Sequence, residues 1–445
     1  MLNTFIQDFR SSLVAMDRRY YTEGYGCPSN DYDLQIMLSR LHAHGYSPVQ
    51  DPFDSDIIIV NTCAVKKRTE DRALSRLRLL ATTGKPVVIA GCLSVVDRNA
   101  IEKAIPGYAA LLSPFSVERI DEILEFGCRV EKEDLTKAPR KTKIGVAPPR
   151  EGSIIETVPI SEGCLGECSF CCTRLARGRL LSYSPDLILK AMKSSLENGT
   201  KEFWLTGQDV GSYGRDAGWN LIELLNDISS LDGDFKVRLG MLNPETCIGT
   251  IDELVEAIQS PKFFKFVHLP MQSGNNRILS LMKRKYNIES LKNVVTELRE
   301  KCPGVTLWTD IICGYPEESR AEFEDTLNVL SELTFDVVNV SRFSARPGTP
   351  AQQLKPMPSD EVKDRSRTAS RLWKELALTI NRQWIGWRGY VLVDEAGTNG
   401  TQIGRTDTYK PVVLGGQESL MGKRIPVEVV DAWPTYLVGN CIEQP

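Results

Sequence analysis

Short apolar runs alternate with amphipathic helical stretches over most of this chain, and that alternation limits its fold more than any other feature. In the first block, 19–24, 57–61 and 86–91 read as strands, with helices at 31–44 and 70–82. Such a pattern predicts a parallel sheet covered by helices. A second series has strands at 155–160, 202–206, 236–240, 264–269, 305–311 and 336–343, with helices at 185–197, 221–230, 288–301 and 318–333. Six β-α repeats predict an incomplete parallel barrel, (βα)6, with active groups at the carboxyl ends of its strands. After a helix at 360–381 the helical period stops. Short β runs at 389–394, 401–406, 411–414 and 425–430, punctuated by Gly397, Gly400, Gly415 and Gly416, then predict a small antiparallel β-barrel of oligonucleotide-binding size. A β module that only packs or dimerises is the plainer alternative. The expected class is α/β. Its parts are an N-terminal parallel domain (18–132), a basic linker (133–150), the partial barrel (151–380) and the C-terminal β-barrel (381–445). A length of 445 residues suits such a division.

Cysteines mark the chemistry. Cys164, Cys168 and Cys171 form C-x3-C-x2-C directly after the first barrel strand, where an active loop belongs. Three thiolates holding a four-iron cluster leave one iron free for a non-protein ligand. That is what reductive cleavage of S-adenosylmethionine at iron requires. A structural zinc site wants four ligands, usually in two pairs, and ferredoxin-type clusters use C-x2-C-x2-C with a further cysteine. Zinc and an incidental loop are the competing readings. In the first block, Cys27, Cys63 and Cys92 each follow an expected strand. Ligands in open α/β sheets gather at carboxyl ends of strands, so these three can converge as a second cluster site. Taken singly, each is as well explained as a small buried hydrophobe.

The formal net charge of −4 does not advertise nucleic acid, but the charge is uneven. Lys66, Lys67, Arg68, Arg72, Arg76, Arg78 and Lys85 face only Glu70 and Asp71 in their segment, and 137–150 holds five basic residues and no acid. A solvated helix face with a flexible linker explains this; so does one wall of a phosphate-binding surface. No apolar run approaches the roughly 18 residues that span a bilayer. The start, 1–19, reads as an amphipathic helix on Phe5, Phe9 and Leu13, with Asp8 and Asp17 where a signal peptide is uncharged. A cytoplasmic protein with reduced cysteines and no membrane association is therefore expected.

Tyr25-Gly26-Cys27-Pro28-Ser29-Asn30, Asn61-Thr62-Cys63, Gly91-Cys92-Leu93 and the C-x3-C-x2-C loop belong to a set. With them go His268-Leu269-Pro270-Met271-Gln272-Ser273-Gly274, Thr309-Asp310-Ile311-Ile312 and Arg346-Pro347-Gly348-Thr349-Pro350. Together these resemble the radical S-adenosylmethionine methylthiotransferases over nearly the whole chain. That family's order is an N-terminal cluster domain, a radical barrel and a C-terminal TRAM domain. Ala176-Arg177-Gly178 and Ser182-Tyr183 resemble the archaeal and eukaryotic branch, which acts on threonylcarbamoyladenosine beside the tRNA anticodon. Cys172 stands where that branch usually has Lys, and Cys313 where Val is common; Cys172 is read as a bystander.

The resemblance implies two [4Fe-4S] clusters, one on Cys27, Cys63 and Cys92 and one on Cys164, Cys168 and Cys171. S-adenosylmethionine would serve both as methyl source and as source of a 5′-deoxyadenosyl radical. It also implies a tRNA anticodon stem-loop as partner, an electron donor protein and a monomer. Gln208, Asp209, Gln272, Ser273 and Gly314 are the expected S-adenosylmethionine contacts at strand ends. No residue is assigned a catalytic proton transfer. His268 is expected as a core histidine bonded to neighbouring backbone, and Asp310 as an internal ion-pair partner. Arg405, Tyr409 and Lys410 are expected to grip RNA by stacking and phosphate contact, and Arg177 to meet a phosphate or the threonyl carboxylate. Isopentenyladenosine tRNA or a ribosomal-protein aspartate is the alternative substrate. A non-catalytic, metal-containing RNA-binding protein is the alternative from another class.

Overall fold

The computed structural model describes residues 18–125, 133–150, 152–416 and 418–443. Of the helix expected at 1–19, residues 1–17 lie outside the described residues, and Arg18 and Arg19 open a strand instead. The chain divides into two compact units, Met1–Lys141 and Thr142–Pro445.

The first unit is one parallel sheet. Its strands are β1 (Arg18–Gly24), β2 (Tyr46–Pro48), β3 (Ile57–Thr62), β4 (Val87–Gly91), β5 (Ala110–Leu112) and β6 (Glu133–Asp134), in the order β2-β1-β3-β4-β5-β6. β3 is Ile-Ile-Ile-Val-Asn-Thr and buried throughout, the unbroken apolar run of a strand covered on both faces. Helices α1 (Pro28–Ala43) and α2 (Lys67–Ala81) are among those that connect the strands. Gly24 lies opposite Asn61, and Thr62 opposite Gly91. The carboxyl ends of β1, β3 and β4 therefore share one edge, from which the loops carrying Cys27, Cys63 and Cys92 start. The expected linker 133–150 is corrected: β6 pairs with β5, and the boundary between the units falls inside that stretch.

The second unit joins the two expected barrels. Strands β7 (Ile155–Pro159), β8 (Ser161–Glu162), β9 (Leu181–Ser182), β10 (Glu202–Thr206), β11 (Lys236–Leu239), β12 (Phe266–His268), β13 (Thr306–Cys313) and β14 (Val337–Arg342) occupy its first part. Two parallel sheets, β11-β10-β7 and β12-β13-β14, are linked by single bridges such as Met241 to His268. The six long-range strands thus form an open array, with β8 and β9 as a small hairpin at one end. Helices α3 (Pro185–Glu197), α4 (Leu221–Ser229), α5 (Ile251–Ile258), α6 (Ile288–Lys301) and α7 (Arg320–Leu333) connect the strands. Their apolar faces close one core that includes Phe203, Leu225, Leu254, Val295 and Phe323.

Helix α8 (Ser359–Arg382) leads to a closed barrel of β15 (Arg388–Ala396), β16 (Gln402–Arg405), β17 (Pro411–Leu414), β18 (Arg424–Ala432) and β19 (Leu437–Cys441). Four strands were expected; β19 is the fifth. It closes the barrel by pairing parallel with β17, so the barrel is not wholly antiparallel. Closure removes exposed edges. The junction with the partial barrel is polar and specific. Lys410 Nζ donates to Asp336 Oδ1 (2.5 Å) and Asn381 Oδ1 (2.8 Å), and Asn381 Nδ2 donates to the Trp433 carbonyl (2.7 Å).

Candidate iron–sulfur and RNA-binding sites

In the first unit, two asparagines hold the cysteine edge together. Asn30 Nδ2 donates to the carbonyls of Tyr25 (3.2 Å) and Thr62 (2.8 Å), while Asn61 Nδ2 donates to the Asn30 carbonyl (2.5 Å). These bonds fix the Asn30 amide so that its Oδ1 faces Cys92 Sγ at 3.7 Å and Cys27 Sγ at 4.0 Å. Cys63 Sγ accepts from the Val65 amide at 3.4 Å. Gly91 has φ +97°, and a Cβ there would sit 2.3 Å from the Thr62 carbonyl oxygen, so only glycine lets β4 deliver Cys92. Asn30 and Asn61 had no role assigned from sequence, although both lie within the quoted cysteine segments.

Beside this edge, an open cavity of about 480 Å³ is lined by Glu23, Tyr25, Arg72 and Arg76, among others. Arg76 is spent on Glu23 (2.5 Å), and Lys67 on Glu70 (2.5 Å) and Asp71 (3.0 Å). Burial alone would raise the Glu23 carboxyl, but hydrogen bonds from Tyr25, Arg76 and Tyr21 outweigh it and hold the group below its ordinary range. Arg72 lies exposed over the Tyr25 ring, 5.6 Å from its centroid.

In the second unit, the C-x3-C-x2-C loop leaves hairpin β8–β9. The Cys164 amide donates to the Gly178 carbonyl (3.2 Å). The loop is stitched across the barrel mouth through Ser169, whose amide donates to the Met282 carbonyl and whose carbonyl accepts from Ala351. Its hydroxyl bonds the Leu281 carbonyl and Tyr315. Each of the three sulfurs accepts one N–H: Cys164 from the Gly166 amide (3.2 Å), Cys171 from the Thr173 amide (3.4 Å) and Cys168 from Arg284 Nη1 (3.3 Å). Burial pushes the Cys164 thiol up to about 12, with the charges of Asp209 and the two neighbouring cysteines adding to it; burial likewise raises Cys171. Free thiols at Cys164 and Cys171 hold their protons, whereas a bound cationic centre supplies the charge that makes them thiolates. Donors on all three sulfurs are what cluster thiolates use, so the residues fit an iron–sulfur centre. Cys172 is buried, unlike its three partly exposed neighbours, as befits a bystander. Among the described residues, no three His, Cys, Asp or Glu side chains group as ligands of a single metal ion.

The expected S-adenosylmethionine contacts divide. Gln208 Oε1 accepts from the Gly163 amide (2.5 Å) and so ties β10 to the start of the cysteine loop. Gln272 holds φ 66° and pairs by backbone with Asp310 and Ile312, at the end of the β12–β13 sheet. The other three have protein surroundings of their own. Asp209 is buried, and its oxygens accept from Ser212 Oγ (2.6 Å) and the Asn243 amide (3.0 Å). Ser273 is fully buried. Gly314 is explained by packing, because a Cβ there would meet Val362 Cγ2 at 2.5 Å. His268 Nε2 bonds Asp310 Oδ2 at 2.7 Å, so its partner is a carboxylate rather than backbone, and Asp310 is the internal partner expected. Arg284 and Asn243 were missed; a lone arginine after a short helix has no sequence signature.

The expected RNA grip is also corrected. Tyr409 is 3% exposed and packs on Phe264 (4.8 Å between centroids), Phe266 (5.1 Å) and Trp308 (6.4 Å). Arg405 pairs with buried Asp394 (3.1 Å) and with Glu395 (2.7 Å), and Lys410 is the junction cation described above. Arg177 is 2% exposed and bonds Glu162 (2.7 Å), which also takes Lys143 (2.8 Å). All four hold the second unit together. The exposed aromatic groups of the C-terminal barrel are others: Tyr390 with Arg424 over its ring (5.6 Å), and Trp433 stacked on Tyr436 (6.1 Å, 20°).

Comparison with known proteins agrees with this layout. Residues 19–113 match the Uncharacterized protein family UPF0004, 158–330 the Radical SAM superfamily and 389–442 the TRAM domain. Among solved structures, a radical S-adenosylmethionine methyltransferase from Kitasatospora setae, with cobalamin and a [4Fe-4S] cluster bound, is similar in fold. Its TM-score is 0.56 at 14% identity, covering 88% of this chain and 82% of that one. The chain is 40% identical to a probable threonylcarbamoyladenosine tRNA methylthiotransferase of Pyrococcus abyssi, over 95% of this chain and 99% of that protein. It is 31% identical to the threonylcarbamoyladenosine tRNA methylthiotransferase of Homo sapiens, over 96% of this chain and 75% of that protein. With near-full-length identity at this level and all three domains in order, the chain belongs to the threonylcarbamoyladenosine tRNA methylthiotransferase family.

Proposed function

We propose that this protein transfers a methylthio group to C2 of N6-threonylcarbamoyladenosine at position 37 of tRNA, beside the anticodon. The observation that carries the reading is the pair of cysteine triads. The first is delivered by loops at the carboxyl ends of parallel strands and the second by the loop of the antiparallel hairpin β8–β9, and each belongs to a different unit. Cys27, Cys63 and Cys92 would hold one [4Fe-4S] cluster and Cys164, Cys168 and Cys171 the other. When bound with S-adenosylmethionine, these groups supply the radical and sulfur chemistry that an unactivated aromatic C–H demands and that side chains lack.

The chain's own groups orient and shield. Asn30 and Asn61 lock the first cysteine edge; the Gly166 and Thr173 amides and Arg284 steady the second set of sulfurs. Gln208 and Gln272, at the ends of their strands, remain the candidates to contact S-adenosylmethionine. For RNA, exposed Tyr390 and Trp433 offer faces for bases, and Arg424 and Arg72 offer guanidinium groups for phosphates. The protein is taken to work as a cytoplasmic monomer fed by a separate electron donor protein.

The test is anaerobic. The full chain is reconstituted with iron and sulfide and incubated with S-adenosylmethionine, a one-electron reductant and an anticodon stem-loop carrying threonylcarbamoyladenosine. Digested nucleosides are then read by mass spectrometry. The expected product has methylthio in place of one ring hydrogen. Product only from isopentenyladenosine RNA, or only from an aspartate-containing ribosomal peptide, would move the substrate. Zinc in place of iron, with no product from any, would return the chain to the RNA-binding class.

A further inference from the structure

Among the described residues, Arg284 is a half-buried cation aimed at one of the loop's sulfurs, and its surroundings differ from those of Arg177, Arg365 and Arg405. It follows the short helix Asn276–Leu281 and a left-handed residue, Lys283 (φ 56°). Nη1 donates to Cys168 Sγ at 3.3 Å. Nη2 donates to Asn243 Oδ1 (2.6 Å) and the Pro270 carbonyl (3.4 Å), and Nε to the Tyr286 hydroxyl (3.4 Å). The guanidinium also lies 5.0 Å from the Tyr286 ring centroid, and Tyr286 is itself fixed by donation to the Met271 carbonyl (2.6 Å). The group therefore has one orientation, and every partner that sets it is neutral.

Arg177, Arg365 and Arg405 provide the contrast. Each buried guanidinium meets a buried carboxylate: Glu162 at 2.7 Å, Glu318 at 2.6 Å and Asp394 at 3.1 Å. Among the described residues, no carboxylate lies within ion-pair distance of Arg284, and Asp209, close enough to feel its charge, is occupied with Ser212 and Asn243. A half-buried cation left unneutralised acts on the group it points to, and here that group is a cysteine sulfur.

We propose that Arg284 is a positioning residue that sets the reduction potential of the cluster on Cys164, Cys168 and Cys171. This rests on reading those cysteines as cluster ligands. One electron enters from an external low-potential one-electron donor; Arg284 makes and breaks no covalent bond and gives up no proton. Reduction adds a negative charge to the cluster and its thiolates, and a cationic donor on a ligand sulfur stabilises that state more than the oxidised one. Arg284 thus makes the centre easier to reduce.

The test uses the full chain with Cys27→Ala/Cys63→Ala/Cys92→Ala, so that one cluster gives the signal. Iron is counted, and the midpoint potential is followed by electron paramagnetic resonance during dithionite titration. Arg284→Met is expected to keep its iron and lower the reduction equilibrium at least tenfold, which for one electron is about 59 mV. Arg284→Lys, which keeps the charge without the fork, is expected to fall between the two. Full iron with less than a threefold change in Arg284→Met would overturn the proposal. So would an Arg284→Met that loses its iron while Arg284→Lys keeps both iron and potential, since Arg284 would then only hold the loop. If the parent protein holds no iron at these cysteines, the reading beneath the proposal fails first and is seen to fail.

Discussion

Replacing Tyr409 by Ala separates two roles that the sequence does not distinguish. If the ring stacked on RNA, its loss would weaken binding and leave the fold alone. In the structure it is 3% exposed at φ 65°, packed on Phe264, Phe266 and Trp308, with the guanidinium groups of Arg238 and Arg405 at 5.3 and 5.1 Å from its centroid. Emptying a fully packed aromatic site costs about 3–5 kcal/mol. The ring contacts lie within that figure rather than on top of it, because the truncation removes area and stacking together. For a cooperative unit of about 300 residues, an unfolding entropy near 2.1 cal/mol/K per residue converts 4 kcal/mol into a fall of about 6 °C. The assay is thermal unfolding of the full chain followed by tryptophan fluorescence, since Trp308 lies against the ring. It is paired with RNA binding at a temperature where the variant is still folded. The expected result is the lower transition with affinity within twofold of wild type. A transition unmoved within 1 °C and a tenfold weaker complex would refute the reasoning and restore the RNA grip.

The remaining predictions concern other buried or constrained groups. Burial, and then the charge of Asp394, raise the Glu202 carboxyl well above its ordinary range. A raised acid binds its proton more tightly when folded, so its stabilisation is complete below the unfolded value, about 4.3, and is lost as pH rises toward the folded value. The stability advantage of wild type over Glu202→Gln should therefore shrink in melts run from pH 4 to pH 8; a constant difference would reject the assignment. Arg177→Met takes one cation from buried Glu162, and a loss on the order of 3 kcal/mol is expected in denaturant titration, with an unchanged salt slope for RNA. On the proposed two-cluster reading, Gly91→Ala should remove the iron at Cys27, Cys63 and Cys92 while sparing that at Cys164, Cys168 and Cys171, as read by metal analysis of the reconstituted protein. Its Cβ would lie 2.3 Å from the Thr62 carbonyl.

Much of the architecture was legible because it rests on local patterns. β3, β10 and α6 fall within a residue or so of where apolar runs and helical spacing put them. The cysteine triads stand out equally in the sequence, since ligand chemistry needs particular residues at particular spacings. β19 was not: Leu437–Cys441 is short, carries Gly439 and Asn440, and is a strand only because it fills the gap between β17 and β18. Asn30 and Asn61 were overlooked because their value lies in bonds to backbone more than 30 residues away.

The sequence by itself determined the order of sheet, partial barrel and closed barrel, and which six cysteines fall in loops that follow strands. Periodicity and motif spacing are properties of neighbours along the chain. Only the tertiary structure decided which charged and aromatic groups face solvent. Arg405-Thr406-Asp407-Thr408-Tyr409-Lys410 reads as a polar loop made to meet RNA, yet Arg405, Tyr409 and Lys410 turn inward because Asp394, Asp336 and the ring of Phe264 wait there. The same holds for Arg284, whose sulfur partner is 116 residues away. A buried cation is tolerable only beside groups that accept its hydrogen bonds, and which groups those are is settled by the fold.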